Sequence, residues 1–242
     1  KKASRICVAY EGMERFFPVE RMVLTGNPVR QTLRNKSINR EESSVFFGFN
    51  PTKKTVLILG GSLGARTINH TLMAGLPFIK AHPEIQFIWQ TGKIYLNQVR
   101  ETLTAFTGEA IRTVRVNSLP NLYVTDFIKH MDYAYALADL VISRAGAGSI
   151  SELCLLGKPC ILVPSPNVAE DHQTKNALAL VRKHAALYVK DTEAQERLLN
   201  IALETLTDDT KLAELRKNIS LLARPNAAHD IASEVLKLID NR

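Results

Sequence analysis

Three short segments of this chain combine residue types and spacings suited to binding anions and sugars. The first is Leu59-Gly60-Gly61-Ser62-Leu63-Gly64-Ala65-Arg66, a glycine-rich turn between an apolar run and a helical pattern. Glycines let a backbone approach an anion, and the helix that follows presents unpaired N–H groups and the positive end of its dipole. Ser62 adds a hydroxyl, so Gly61, Ser62 and Gly64 are candidate phosphate contacts. The pattern is neither GxGxxG nor a Walker A loop, because the Lys-Ser/Thr ending is missing, which argues against dinucleotides and against NTP hydrolysis. A plain tight turn accounts for the same letters, since glycine also serves close strand–helix packing.

The second segment is Ser143-Arg144-Ala145-Gly146-Ala147-Gly148-Ser149-Ile150-Ser151-Glu152. Its small residues from Ala145 to Ser149 clear space for a diphosphate against the helix start. Glu152 follows Gly148 by four positions, which puts its carboxylate near the same helical face, where it can accept from two vicinal ribose hydroxyls. A nucleoside diphosphate satisfies both features. The plain alternatives are a first-turn acid stabilised by the helix dipole for Glu152 and a structural ion pair for Arg144. The third segment runs from Val163 to Asn176 through Glu170-Asp171-His172-Gln173. His172, Gln173 and Asn176 supply neutral donors and acceptors for sugar hydroxyls, although a capping or surface histidine is an equal reading of His172.

Loops of this kind need a parallel sheet behind them, and the chain has the rhythm of one. Short β-rich runs at Val56 to Leu59, Phe87 to Gln90, Thr113 to Val116, Leu140 to Ser143, Cys160 to Val163 and Ala186 to Val189 alternate with longer amphipathic stretches. Apolar spacing of three and four predicts helices at Arg66 to Lys80, Ile94 to Phe106, Ser149 to Leu156, Gln173 to His184, Glu193 to Leu206 and Thr210 to Leu222. Six strands in βαβ order predict an α/β, Rossmann-like doubly wound sheet whose carboxyl edge holds all three segments. A further helix, Ala227 to Ile239, follows the break Arg224-Pro225-Asn226 and is expected to reach a neighbouring domain. Arg5 to Tyr10 reads as a lone strand without a sheet, so residues 1–30 are expected to be the end of a missing N-terminal domain and its linker. Residues 31–225 then form the ligand-binding domain, and 226–242 a helix returning toward that N-terminal domain.

Composition narrows the setting without choosing the ligand. The chain has 242 residues, 45% hydrophobic and 23% charged, enough for one good core or one domain plus pieces of a second, and no apolar run of membrane-spanning length. Cys7, Cys154 and Cys160 are scattered and odd in number, which suggests neither a disulfide framework nor a zinc site. The formal charge of +7 is compatible with nucleic acid, anionic lipid or a phosphorylated ligand, and no nucleic-acid recognition motif accompanies it.

Together, Gly60-Gly61-Ser62-Leu63-Gly64-Ala65, the stretch from Asp126-Phe127-Ile128 to Glu152, and His172-Gln173 through Asn176 resemble the donor domain of the MurG family of peptidoglycan N-acetylglucosaminyltransferases. Thr25-Gly26-Asn27-Pro28-Val29-Arg30 resembles that family's interdomain linker motif. The resemblance implies the C-terminal domain of a GT-B fold and inverting transfer of GlcNAc from UDP-GlcNAc to lipid I, forming lipid II. Carried over by position, Ile128 would meet the uracil edge through its backbone and Glu152 the ribose. Ser62 with Ala147, Gly148 and Ser149 would meet the diphosphate. His172 and Gln173 would face the GlcNAc, and Arg30 the interdomain cleft. His172 stands where some members have Gln.

The resemblance implies no metal and no cofactor, with UDP-GlcNAc as a substrate. It also implies a bacterial cytoplasmic location, peripheral on the inner face of the cytoplasmic membrane, and no nucleic-acid partner. No residue stands out as the base; that group, the lipid I site and the membrane contacts are expected in the N-terminal domain, and this chain alone is expected to transfer little. A UDP-GlcNAc 2-epimerase, another GT-B enzyme, or a donor-binding subunit needing a membrane partner remain alternatives, because fold and donor do not fix the acceptor.

Overall fold

The computed structural model describes residues 3–14, 16–34, 38–168 and 171–240. The run Val56-Leu57-Ile58-Leu59 lies in β3 (Lys54–Leu59), where alternate side chains enter two different core clusters, Val56 and Ile58 in one and Leu57 and Leu59 in the other. A strand buried on both faces requires a central place in a parallel sheet covered on both sides. Accordingly β4 (Ile85–Gln90) and β7 (Leu140–Ser143) flank β3, both parallel to it. Beyond β4 lies β6 (Leu119–Thr125), and beyond β7 lie β8 (Cys160–Leu162) and β9 (Leu187–Tyr188), all parallel. The two-residue β5 (Arg115–Val116) adds an antiparallel edge, completing the order β5-β6-β4-β3-β7-β8-β9.

Helices α2 (Arg66–Ala74), α3 (Leu76–Ala81), α4 (Leu96–Thr107) and α8 (Ala194–Thr207) supply one core layer, with Ile68, Leu72, Ile79, Leu103 and Leu198 buried in it. On the other cluster lie α1 (Arg40–Phe47), α5 (Met131–Leu137), α6 (Ala147–Leu156), α7 (His172–Val181) and α9 (Asp209–Ser220), through Phe47, Ala134, Ile150, Leu180 and Ile219. The last helix is α10 (Ala227–Asp240).

The doubly wound α/β expectation holds, with four corrections. Among the described residues the sheet has seven strands, not six: the predicted strand at Thr113 to Val116 is only the short edge, and β6 fills the parallel position beside β4. Pro120 and Asn121 disguise β6, because proline cannot donate to a ladder and asparagine is rare in strands. Asn121 is nevertheless buried, and its amide donates to the carbonyls of Ile79, His82 and Ile85 at 3.0–3.1 Å. The single helix predicted over Arg66 to Lys80 is two, α2 and α3, broken at Gly75, where any Cβ would collide with Leu199 on α8. The strand near the start is not alone: β1 (Ile6–Val8) pairs in parallel with β2 (Met22–Leu24). Finally, α1 was missed, although its capping box is legible: Asn39 accepts from the Glu42 N–H at 2.8 Å and Glu42 reaches back.

Candidate donor-binding site

The sheet register brings the candidate segments to one edge. Leu59 is level with Gln90 and with Ser143, Gln90 is level with Thr125, and Ser143 is level with Leu162. The loops leaving β3, β4, β6, β7 and β8 therefore emerge in a single row at the carboxyl edge. Winding reverses between β3 and β7, which is where open α/β sheets bind their ligands, and the first two predicted segments sit on either side of that point.

The turn after β3 is locked by its neighbours. Gln90, almost fully buried, accepts from the Gly61 N–H at 3.0 Å and donates to the carbonyls of Gly61 at 2.8 Å and Asp126 at 3.0 Å. Gly64 has φ +91°, and a Cβ there would collide with Tyr95 and lie 2.5 Å from the Thr91 carbonyl. The Gly61 N–H is thus already spent on protein, whereas the exposed Ser62 hydroxyl has no partner among the described residues. Helix α2 begins at Arg66 without a side-chain cap, so its first N–H groups remain available at this edge.

The turn after β7 is open. No side chain caps α6, and the N–H groups of Ala147, Gly148 and Ser149 have no partner among the described residues. A Cβ built on Gly148 meets nothing within 4 Å. Glu152 lies beyond the first turn of α6, so it is not the dipole-stabilised first-turn acid of the plain reading. Its side chain is 14% exposed, with Oε2 accepting from the Tyr135 hydroxyl at 3.0 Å and Oε1 lying 3.3 Å from Arg30 Nε. Burial, then the Glu152 charge and hydrogen bond, hold the Tyr135 phenol well above its ordinary pKa, so it remains a donor. Arg144 is structural: it pairs with Asp191 and donates to the carbonyls of Val163 at 2.9 Å and Pro164 at 3.1 Å.

The third loop is tied to the second, since Asn176 donates to the Ala145 carbonyl at 3.2 Å and Gln173 Oε1 accepts from the Ser165 N–H at 2.9 Å. His172 is the exposed first residue of α7; Ala169 and Glu170, from the same predicted loop, lie outside the described residues. Ile128 is buried by its side chain in the core, leaving its backbone as the group a ligand could meet, and the adjacent Phe127 is 49% exposed. The linker motif also reaches α6. Asn27 donates to Ser151 Oγ at 3.3 Å and Tyr10 to the Ala147 carbonyl at 2.9 Å, so Arg30 arrives at Glu152 from a segment already fastened there.

Sequence reasoning missed Gln90, Tyr135 and Tyr10. Each finds its partner far along the chain, so only the fold reveals it.

The profile of the glycosyltransferase family 28 C-terminal domain matches residues 55–234, from β3 into α10. The chain belongs to glycosyltransferase family 28. Among curated members, it is 63% identical over 238 residues to the UDP-N-acetylglucosamine--N-acetylmuramyl-(pentapeptide) pyrophosphoryl-undecaprenol N-acetylglucosamine transferase of Bacteroides fragilis, covering 98% of this chain and 60% of that one. It is 60% identical over 240 residues to the transferase of the same name from Bacteroides thetaiotaomicron, covering 99% and 62%. The chain thus spans about 60% of the length of the curated relatives it matches. The crystal structure of Acinetobacter baumannii MurG superposes with TM-score 0.69 at 28% identity, over 97% of this chain and 61% of that one. A UDP-N-acetylglucosamine 2-epimerase structure, at TM-score 0.60 and 16% identity over 95% of this chain and 55% of that one, shares the fold alone.

Proposed function

We propose that this family 28 domain binds UDP-GlcNAc and that the protein carrying it transfers GlcNAc to lipid I, forming lipid II, with inversion at the sugar. The observation that carries the reading is the start of α6. The N–H groups of Ala147, Gly148 and Ser149 have no partner among the described residues, a Cβ on Gly148 would meet nothing within 4 Å, and the Glu152 carboxylate stands one turn further on. The relatives' shared name supports the same donor and acceptor.

In this reading the diphosphate lies between the starts of α6 and α2, with the Ser62 hydroxyl, and the ribose hydroxyls take the Glu152 oxygen that Arg30 now holds. The uracil meets the Ile128 backbone, while His172 and Gln173 face the GlcNAc. The acceptor 4-hydroxyl attacks the anomeric carbon as its bond to UDP breaks, and the acceptor proton passes to a base. Oriented N–H groups stabilise the charge on departing UDP, so no metal is required. This reading assigns the base, the lipid I contacts and the membrane contacts to the part of the whole protein outside this chain, which spans about 60% of its curated relatives' length. The proposed setting is the cytoplasmic face of the bacterial membrane; among the described residues no helix is long and apolar enough to cross it.

Calorimetric titration with UDP-GlcNAc, UDP, UDP-glucose and NAD tests the donor assignment. The UDP ligands are expected to bind and NAD not, and Glu152→Ala is expected to weaken UDP by roughly 10- to 100-fold, the loss of charge-assisted hydrogen bonds. A folded Glu152→Ala chain with unchanged UDP affinity would remove the ribose role. For the acceptor, the protein with its full length is incubated with UDP-GlcNAc and lipid I. Lipid II is the expected product, and epimerised UDP-sugar would select the epimerase alternative.

A further inference from the structure

This inference rests on the donor reading above and concerns how its carboxylate is aimed. Tyr135, on α5, is 2% exposed, and its hydroxyl is the one polar group of its side chain. A buried tyrosine usually satisfies its hydroxyl on whatever acceptor is near, and the half-buried Tyr10 uses a backbone carbonyl. Tyr135 instead reaches across to another helix and donates to Glu152 Oε2, while Oε1 is left to the Arg30 guanidinium, whose side chain is 56% exposed.

The two carboxylate oxygens are therefore unequal. Oε2 is taken by a core residue with no freedom to leave, and Oε1 is held by a partner that exchanges readily with solvent. One carboxylate oxygen offers about two acceptor sites, which matches a vicinal diol. We propose that Tyr135 is a positioning residue that pins Glu152 by Oε2, so that Oε1 is presented to the ribose hydroxyls in place of Arg30. Tyr135 thereby makes the site selective for ribonucleoside over deoxyribonucleoside diphosphates. A carboxylate free to rotate would spend part of its population with neither oxygen aimed, and that loss falls on ligands carrying the diol.

The test compares UDP with 2′,3′-dideoxy-UDP by calorimetry. The unaltered chain prefers UDP, and Tyr135→Phe lowers that preference roughly tenfold, the worth of one hydrogen bond to a charged group, while dideoxy-UDP affinity stays within about twofold. Placing 4-aminophenylalanine at position 135 restores a donor and the preference. A folded Tyr135→Phe chain with the original preference overturns the proposal. If the unaltered chain binds both ligands equally, the ribose role of Glu152 falls first and the proposal with it, so the two failures are distinguishable.

One measurement avoids any change at Tyr135. Its ring 13Cζ resonance, assigned by its displacement in Glu152→Ala, should shift with UDP and not with dideoxy-UDP. A resonance indifferent to UDP, in a chain that binds UDP, also overturns the proposal.

Discussion

The turns after β3 and β7 have the same job description in sequence: small residues between a buried strand and a helix at the switch point of one sheet. In the structure they are opposites. The first is closed by protein at Gly64, pressed against Tyr95 and the Thr91 carbonyl, and its Gly61 backbone is bonded to Gln90, although a Cβ on Gly61 would meet nothing within 4 Å. The second is empty around Gly148, and its N–H groups are unspent. Gly64 serves packing, and Gly148 serves vacancy. A glycine-rich loop is thus evidence of close approach, and only the surroundings decide whether protein or ligand makes the approach.

The contrast requires the same chemical change to act on different quantities in the two places. Gly64→Ala should be the most damaging, because it forces a side chain at φ +91° into a ring and a carbonyl. A loss of about 3 kcal/mol or more in urea denaturation is expected, a sum of backbone strain and overpacking. Gln90→Leu is next, at about 2 kcal/mol, because it strands the Gly61 N–H and two carbonyls that the amide now serves. If either chain kept its stability, the first turn would not be a packing element.

The sheet was legible because β3, β4, β7 and β8 are apolar runs too short for helices and punctuated by Gly, Pro or polar residues, a pattern set by local burial. What escaped was polar and internal. β6 hides behind Pro120 and an Asn121 that is satisfied only by carbonyls from elsewhere in the fold. Gly75 gave no sign that it marks a helix–helix contact, because Leu199 lies far along the chain. The site divided similarly. Gly148 and Glu152 were readable from helical spacing, whereas Tyr135, which holds Glu152, and Gln90, which closes the first turn, depend on tertiary partners that no local pattern encodes.

Gly148→Ala sharpens the comparison from the other side. With no atom within 4 Å of the new Cβ and an ordinary helical backbone, stability should rise by about 0.5–1 kcal/mol from helix propensity. UDP affinity should fall by roughly tenfold, as the methyl takes space the diphosphate needs. Gly64→Ala costs stability, and Gly148→Ala costs binding. A Gly148→Ala chain that bound UDP normally would mean the open space is not the diphosphate site.

The far end of α6 supplies the control, a residue that should affect stability and leave the donor alone. Lys158 follows the Gly157 cap, and its ammonium donates to the Ala138 carbonyl at 2.9 Å. Burial, partly offset by Asp139 and reinforced by Arg216 and Arg40, pulls its pKa from 10.5 down to about 8. Below pH 8 both folded and unfolded chains carry the proton, and the fold bears the cost of a half-buried charge. Between about 8 and 10.5 the unfolded chain holds the proton while the folded chain has released it, so stability rises with pH across that window. Lys158→Met has no such proton to release. Comparing both chains in urea at pH 7.5 and pH 10 cancels the other titrating groups, and the original chain should gain about 1–2 kcal/mol on the variant, discounted for partial solvent access. UDP affinity at pH 7.5 should agree between them within about twofold, since the charge sits at the end of α6 remote from its open start. A flat stability difference would mean that Lys158 is solvated. A large change in UDP binding would mean that the two ends of α6 are coupled, and the division between packing and ligand roles along this edge would have to be redrawn.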